Sequence, residues 1–259
     1  MKTYEIKTYI AVLLGLIYAG AHAQTADREP FLALALQEVM ELEITSVSKK
    51  PQTVSRSAAA VFVLTGDDIR RAGAQNIPDA LRLAPGLHVA QISANAWAVS
   101  ARGTNGRFAN KLLVMIDGRT VYSPMFSGVF WDVQDTVLAD IERIEVIRGP
   151  GAALWGANAV NGVINIITKS ALATQGTLID MSAGSTTQGQ LSMRRGGQLD
   201  GLGHWRLYGK AFENKALTLA NGQGGAMDAW RQQRLGWRAD LNHSCGLMKS
   251  VGSNVWHPV

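Results

Sequence analysis

The segment between Ile141 and Lys169 constrains the fold more than any other part of the chain. It reads IERIEVIRGPGAALWGANAVNGVINIITK. A strand that alternates apolar and charged residues leads into the turn Arg148-Gly149-Pro150-Gly151, and an apolar strand follows from Val163 to Ile167. Glycine and proline interrupt regular structure, whereas β-branched residues favour strands. The segment therefore predicts a strand, a turn and a second strand.

The first 23 residues have the order of a secretory signal. Lys2 and Lys7 precede an apolar stretch, and Ala21-His22-Ala23 then provides the small residues of a cleavage site. The apolar stretch is too short for a comfortable membrane span. We expect residues 1–23 to be removed, so that the mature chain begins at Gln24 in the periplasm. Because Cys245 is the only cysteine, packing or a closed β-structure must supply the stability that disulfides give other exported proteins.

Composition supports a folded protein and argues against a nucleic-acid partner. The chain has 259 residues, of which 47% are hydrophobic and 17% charged, which is enough apolar material for a core. The net charge of +5 is modest, and no run of Lys or Arg is longer than a pair.

Residues 61–122 carry the local signals of a small mixed α/β unit. Val61–Leu64 is an apolar strand, and Thr65 with Asp67 and Asp68 should cap a helix that ends near Arg71. Asn76 should cap a second helix that runs to Leu83. Further strands are predicted at Leu87–Ile92, Trp97–Ala101 and Leu112–Ile116, and Asp117-Gly118 is a strong hairpin signal.

After Ser170 the pattern changes to strict alternation with one apolar and one polar face. In one such strand Trp205, Leu207, Gly209 and Ala211 alternate with His204, Arg206, Tyr208 and Lys210. Strands of outer-membrane barrels alternate in this way, with aromatic residues such as Trp205 and Trp237 near the interface. A soluble sandwich also alternates, but it needs no Arg or Lys at nearly every second position.

These features resemble the TonB-dependent outer-membrane receptors. The resemblance rests on RIEVIRGP at Arg143–Pro150, GVINIITK at Gly162–Lys169, Pro85-Gly86-Leu87, Arg102-Gly103 and Asp117-Gly118. It implies an α+β plug domain with a small mixed sheet and short helices, followed by the start of a transmembrane antiparallel β-barrel. We expect a periplasmic segment at 24–52, the plug at 53–170, barrel strands at 171–242 and an unrelated tail at 243–259.

The length of the chain is small for such a receptor. The family closes a barrel of about 22 strands around the plug, and each strand needs about 9 to 11 residues. Only four strands are visible in the sequence, and the alternation fades from His243 onward. We therefore expect a truncated or frameshifted receptor.

The resemblance implies a partner segment near the N-terminus. The residues Glu43, Ile44, Thr45, Ser46, Val47 and Ser48 are similar to the TonB box, which adds a strand to the TonB-type energising protein in the periplasm. Lys49 stands where the family more often has a small residue. A short helix and a free extended strand are the alternative interpretation of this region.

Ligand contact should come from outward-facing plug loops at 93–97, 105–110 and 122–131. The candidates share polar or aromatic character and are Asn95, Trp97, Arg107, Phe108, Tyr122, Phe126, Phe130 and Trp131. Aromatic side chains can grip an organic iron chelate or a cobalamin face, but they also pack loops.

The plug motif itself is interpreted as structural. Its residues are Arg148, Gly149, Pro150, Gly156, Asn161 and Gly162. The glycines are expected to serve a positive φ or a close approach. Arg148 either joins a buried ion network with Glu142 and Glu145 or is a solvated arginine at a strand end.

No enzyme, metal or cofactor site is predicted. Gly149-Pro150-Gly151 lacks the spacing and the helix of a dinucleotide site, and no P-loop is present. The five histidines are scattered without ligand spacing. The resemblance implies uptake of a ferric siderophore, haem or cobalamin; the alternatives are a plug-like binding module without transport and an inactive gene product.

Overall fold

A computed structural model describes residues 43–44, 52–53, 60–103, 105–125, 127–151, 155–156, 158–219, 225–243 and 246–256. The predicted signal at 1–23 lies outside these residues. The helices are α1 (Gly66–Arg71) and α2 (Ile77–Leu81), with 3₁₀ turns at Trp131–Val133, Leu138–Asp140 and Leu172–Thr174. Within the described part of the chain, no helix is both long and apolar enough to cross a membrane.

The strands fall into an N-terminal group and a C-terminal group. The N-terminal strands are β1 (Glu43–Ile44), β2 (Gln52–Thr53), β3 (Ala60–Thr65), β4 (Leu87–Gln91), β5 (Trp97–Ala101), β6 (Leu112–Ile116), β7 (Arg119–Thr120), β8 (Tyr122–Ser123), β9 (Gly128–Val129), β10 (Ile141–Arg148) and β11 (Gly162–Thr168). The C-terminal strands are β12 (Gly176–Ser182), β13 (Thr187–Leu199), β14 (Gly203–Asn214), β15 (Trp230–His243) and β16 (Gly246–Trp256).

Residues 60–168, called the plug from here on, are built around one mixed sheet. Its strand order is β3-β10-β11-β6-β7. β10 pairs antiparallel with β3 and β11, whereas β11 pairs parallel with β6. Ile144, Val146, Ile164 and Ile166 are buried at the centre and pack against Ile69 and Leu81 of the helices. The expected α+β unit with a mixed sheet and short helices is confirmed.

Local signals in the sequence set the ends of these elements. Thr65 and Asp68 form a reciprocal capping box at α1, and the Asn76 side chain accepts a hydrogen bond from the Asp79 amide at α2. The second helix ends at Leu81, two residues earlier than expected. Asp117 and Gly118 both have positive φ, 50° and 81°, as the tight turn between β6 and β7 requires.

Strands β12 to β16, called the wall, form a five-stranded antiparallel sheet in chain order. The sequence showed four of these strands. The fifth, β16, lies in the segment expected to be a tail and pairs along its whole length with β15. Backbone hydrogen bonds to a sheet edge need no alternation of side chains, so the alternating pattern could not reveal it.

Burial in the wall is the reverse of that in a soluble protein. Leu207, Leu235 and Trp237 are 52%, 51% and 43% exposed, whereas Arg206, Arg234 and Arg238 between them are buried. One face is therefore apolar and open, and the other is polar and covered by the plug. This is the arrangement of a barrel wall with lipid outside and a plug inside.

Candidate functional site

The covered face of the wall presents a row of cationic side chains to the plug. The row consists of Arg194, Arg206, Lys210, Arg234 and Arg238, and each of them bonds a plug atom or pairs with a plug acid. Strand alternation explains the row, because all five occupy even-numbered positions on neighbouring strands. The plug side contributes Asp117, Asp135 and Asp140.

Lys210 and Arg234, which face each other on β14 and β15, bind the plug segment 133–136. Lys210 Nζ lies 2.7 Å from Asp135 Oδ2 and donates to the Thr136 carbonyl at 3.2 Å. Arg234 donates to the Val133 carbonyl. A buried cation that loses its acid would leave a charge without compensation, at about 3–5 kcal/mol. The contact between Lys210 and Asp135 therefore stabilises the position of segment 133–136 on the wall.

Arg206 and Arg238, which also face each other on β14 and β15, both bind Thr168, the last residue of β11. Its hydroxyl donates to Asp117 Oδ2 at 2.7 Å and accepts from Arg206 Nη2 at 2.9 Å and Arg238 Nη1 at 2.8 Å. Asp140 pairs with Arg194 and lies 3.8 Å from the Arg206 Nε atom. One hydroxyl thus links a plug strand to two wall strands.

The chain between plug and wall is held at the same place. Arg206 and Arg238 donate to the carbonyls of Lys169 and Thr168, at 2.8 Å and 2.9 Å. Asp240 Oδ2 accepts from the Ala171 amide at 2.6 Å. The exit from the plug is therefore anchored to β14 and β15 through its backbone.

A second contact lies at the opposite end of the wall strands, where β14 and β15 are joined by the long loop 215–229. Asn214 donates to the carbonyl of Ala94, at 3.0 Å, and Asp228 accepts from the amide of Ala94, at 2.8 Å. Asp228 also accepts a hydrogen bond from the Leu217 amide at 2.9 Å, which links the two ends of the loop. The plug loop between β4 and β5 is thus held through both backbone groups of Ala94.

Beside this loop lies a cluster of an arginine, an acid and two aromatic rings. Arg107 Nη2 is 2.7 Å from Asp132 Oδ2, and Asn95 Nδ2 donates to the same oxygen at 3.4 Å. The guanidinium lies 5.4 Å from the ring centroids of both Phe108 and Phe130. The structure brings four candidates from three loops into one region: Asn95, Arg107, Phe108 and Phe130.

The other ligand candidates are placed differently. Trp97 and Trp131 are buried in the plug core, and Arg82 lies over the Trp97 ring at 4.8 Å. Both residues pack in the core and also line a pocket beside Asn95, so their assignment to the ligand-facing surface stays a prediction from the sequence. Tyr122 is half-buried on β8, and Phe126 lies outside the described residues.

The ion network expected for Arg148 belongs to Arg143 instead. Arg143 Nε lies 2.9 Å from Glu145 Oε1, and Arg143 also pairs with Glu142. Successive side chains of a strand point to opposite faces, so Arg148 does not share a face with Glu145. Among the described residues, the Arg148 Nε atom has no hydrogen-bond partner, and its side chain packs beside Gly86.

The rest of the plug motif shapes the backbone between β10 and β11. Gly149 and Gly156 have positive φ, 139° and 93°, and the Gly149 amide donates to the Asn161 carbonyl at 3.2 Å. A Cβ on Gly162 would lie 2.5 Å from the Ile147 carbonyl oxygen. Pro150 is exposed at the turn.

The TonB-box-like segment is described only at its beginning. Glu43 and Ile44 form β1, which pairs antiparallel with Gln52–Thr53. Thr45, Ser46, Val47 and Ser48 lie outside the described residues. Their role as a partner-binding strand stays a prediction from the sequence.

Comparison with known proteins finds one matching family model and several similar proteins. Residues 53–163 match the TonB-dependent Receptor Plug Domain. The chain is 28% identical over 210 residues to the Vitamin B12 transporter BtuB of Vibrio vulnificus, covering 80% of this chain and 34% of that protein. It is 34% identical over 163 residues to BtuB of Photobacterium profundum, covering 62% of this chain and 25% of that protein. The chain thus spans about a third or less of these relatives.

Solved structures share the fold. The pyoverdine outer membrane receptor FpvA of Pseudomonas aeruginosa, bound to pyoverdine, has a TM-score of 0.65 at 18% identity, covering 82% of this chain and 30% of that one. The ferric yersiniabactin uptake receptor FyuA of Yersinia pestis has a TM-score of 0.59 at 20% identity, covering 78% of this chain and 32% of that one.

A plug seated on the polar face of antiparallel strands, with an apolar face outside, is an arrangement that this chain shares with solved outer-membrane receptors. Residues 53–163 are similar to the plug domain of the TonB-dependent receptors, and the chain shares its fold with part of the pyoverdine outer membrane receptor. The relatives are transporters and receptors of the outer membrane, not enzymes.

Proposed function

We propose that this chain forms the plug and first barrel strands of a receptor that takes up a scarce nutrient complex across the outer membrane. The observation that carries the proposal is the plug seated by buried ion pairs on the inward face of the wall. A plug held by polar contacts blocks the lumen at rest. It can also be shifted without exposing an apolar interface to water, because its seat is already polar.

The energy for that shift comes from a TonB-type protein in the periplasm. Glu43–Ser48 pairs with it as an added strand, through main-chain hydrogen bonds. This segment precedes β3, which among the described strands pairs with β10 and lies at the edge of its sheet. A pull on the N-terminus therefore acts on the plug sheet, while the exit of the plug stays anchored at Thr168 and Ala171.

The ligand is a metal-chelate or cobalamin-like molecule. Two observations support this class: the curated relatives described above are vitamin B12 transporters, and the solved neighbours are receptors for pyoverdine and ferric yersiniabactin. Cyanocobalamin is the first compound to test, because the sequence similarity is to the cobalamin transporters.

The test is energised uptake by cells that carry this chain within a complete barrel. Labelled cyanocobalamin and ferric chelates are offered to strains with and without the TonB-type protein. Uptake of one ligand only in the strain with that protein is the expected result. Equal accumulation in both strains would overturn the proposal.

A variant separates partner pairing from ligand binding. Val47→Pro removes a ladder donor from the strand that meets the partner, so it should abolish uptake and leave binding unchanged. The matched control is Val54→Pro, outside the box, which should retain uptake. If Val47→Pro transports normally, Glu43–Ser48 is not the box.

A further inference from the structure

The plug covers the inner face of the wall unevenly. Asp180 of β12, Ser192 of β13 and Lys210 of β14 are neighbours in register across the sheet. Strand alternation places all three on the same face. Ser192 and Lys210 are nevertheless buried, whereas Asp180 is exposed. The cover that the plug provides therefore ends between β12 and β13.

Two adjoining polar cavities follow this boundary and are together called the seam from here on. The larger cavity, of about 1190 Å³, lies between α1 and β12 and reaches Lys169 at the exit of the plug. The smaller cavity, of about 450 Å³, reaches Asn214 at the start of the long loop 215–229. Gln75 and Gln190 line both cavities. The seam therefore runs between the opposite ends of the wall strands.

The lining of the larger cavity suits water and hydrated solutes. Its charged members are two acids and two bases, namely Asp67, Asp180, Arg70 and Lys169. Arg70 lies 3.0 Å from Asp67, and Lys169 donates to the Ala139 carbonyl at 2.8 Å. Because charges of both signs are present in equal number, the lining repels neither anions nor cations strongly. It can therefore admit hydrated solutes of either sign.

A neutral hydrogen bond crosses the seam where the two cavities meet. The Ser182 hydroxyl of β12 donates to Gln75 Oε1 at 3.1 Å. Gln75 is also held at the end of α1, because its Nε2 atom donates to the Gly73 carbonyl at 3.0 Å. A neutral hydrogen bond is weaker than the charged contacts that hold the plug on β13, β14 and β15. This contact with β12 is therefore the easier one to break.

The helix beside the seam follows directly on β3. Thr65 is the last residue of β3 and also the N-cap of α1, where it forms the capping box with Asp68. Strand and helix are thus contiguous, so a displacement of β3 moves α1 as well. On the other side of the seam, β12 and β13 belong to the wall. A pull on the segment before β3 therefore acts to widen the seam.

We propose that the seam is the passage by which a ligand crosses the receptor, and that it opens when α1 moves away from β12. The proposal rests on the uptake function above and names the place where the plug opens. The hydrogen bond between Gln75 and Ser182 breaks in this movement, so these two residues are the gate of the passage. The ion pairs with β13 and β14 stay intact, and the plug remains on the wall.

The experiment links the plug to the wall on either side, in a complete receptor that carries this chain with Cys245→Ser. Gln75→Cys with Ser182→Cys closes the gate, and Asp135→Cys with Lys210→Cys fixes the side of the ion pairs. A reducible bis-methanethiosulfonate joins each pair, and the reduced form of the same protein is the control. Ionic conductance across planar bilayers is recorded as urea is added, because urea weakens the contacts of a folded protein. This measurement needs neither a ligand nor the TonB-type protein.

The two links should have opposite effects. The link between positions 75 and 182 should abolish both the conductance in urea and energised uptake, and reduction should restore both. The link between positions 135 and 210 should leave both as they are in its own reduced form. If that second pair does not fold, Asp140→Cys with Arg194→Cys fixes the same side of the plug on β13.

A single substitution tests the gate without a cross-link. Gln75→Ala should shift the onset of conductance to a lower urea concentration, because the hydrogen bond to Ser182 is lost. The matched control is Gln188→Ala, which removes an exposed glutamine of β13 that lines neither cavity. It should leave the onset unchanged. Unaltered circular dichroism verifies folding.

The outcomes separate the passage from the function. Conductance that persists with positions 75 and 182 linked overturns the passage, and so does its absence from the unlinked receptor. Conductance that the link between positions 135 and 210 abolishes would mean that the plug moves as a whole, which also overturns it. Equal onsets for Gln75→Ala and Gln188→Ala contradict the gate. If conductance follows the expected pattern but uptake ignores the TonB-type protein, the proposed function fails and the passage stands.

Discussion

Lys210 on the wall and Asp135 on the plug form a buried ion pair, with 2.7 Å between the ammonium nitrogen and the carboxylate oxygen. The two residues are far apart in sequence, and their side chains are 1% and 8% exposed. A pair in this environment is screened little by salt. The pair therefore helps to hold the plug on the wall, and its loss should destabilise the contact between them.

Lys210→Met should destabilise the folded chain by about 3–5 kcal/mol, because Asp135 is then left buried with an unpaired charge. The measurement is urea unfolding of the full chain in detergent. The control is Arg231→Met, which breaks the exposed pair of Arg231 with Glu213, 3.0 Å apart. That change should cost about 0–1 kcal/mol. Equal costs for the two variants would show that the buried pair does not seat the plug.

Thr168→Val should cost about 2–3 kcal/mol, because valine keeps the shape but leaves Asp117, Arg206 and Arg238 each short of a hydrogen bond. Hydrogen exchange should show the segment 169–171 opening more often than in the parent chain. Thr177→Val is the control, since the Thr177 hydroxyl accepts a hydrogen bond from Arg195 at the exposed surface. If Thr168→Val were as stable as this control, the Thr168 hydroxyl would not contribute to holding the plug on the wall.

Gly162→Ala should destabilise the plug by about 1–3 kcal/mol through overpacking. The added methyl would meet the Ile147 carbonyl oxygen at 2.5 Å, a backbone atom held in the β10–β11 ladder. Gly106→Ala adds the same methyl where, apart from its chain neighbours, no atom of the described residues lies within 4 Å. Thermal unfolding of the two variants should therefore differ clearly, and coincident midpoints would refute the close approach.

Export should produce a mature chain that begins at Gln24, because Ala21 and Ala23 fit a signal peptidase. Intact-mass measurement of periplasmic or outer-membrane material checks this. Ala23→Arg should block cleavage, while Ala26→Arg, beyond the cleavage motif and outside the apolar stretch, serves as a control for charge. Retention of Met1 in the exported parent chain would reject the site.

Local chemistry made much of the plug predictable. A capping box needs only Thr65 and Asp68, three residues apart, and the β6–β7 hairpin needs only Asp117-Gly118. The alternation of β14 and β15 likewise predicted which face of the wall is polar. Each of these features depends on residues that are close together in the sequence, so the sequence alone predicts it.

Contacts between distant segments were not predictable in this way. The acids that meet the wall cations, Asp135 and Asp140, lie in a connection without a periodic pattern. The sequence also suggested Arg148 as the partner of Glu145, although alternation could have favoured Arg143, two residues before Glu145 on the same face. The cluster around Arg107 unites loops around residues 95, 107 and 130, which only the tertiary fold brings together.

The central claim is that the wall has lipid on one face and the plug on the other. The direct measurement is collision of spin labels with lipid-soluble oxygen and with a water-soluble nickel chelate, in vesicles of the complete receptor with Cys245→Ser. Labels at Leu207→Cys and Leu235→Cys, on the exposed apolar face, should respond strongly to oxygen and weakly to nickel. A label at Gln190→Cys, which has the even numbering of the covered face, should not follow this lipid pattern. Strong nickel collisions at Leu207 and Leu235 would contradict the account.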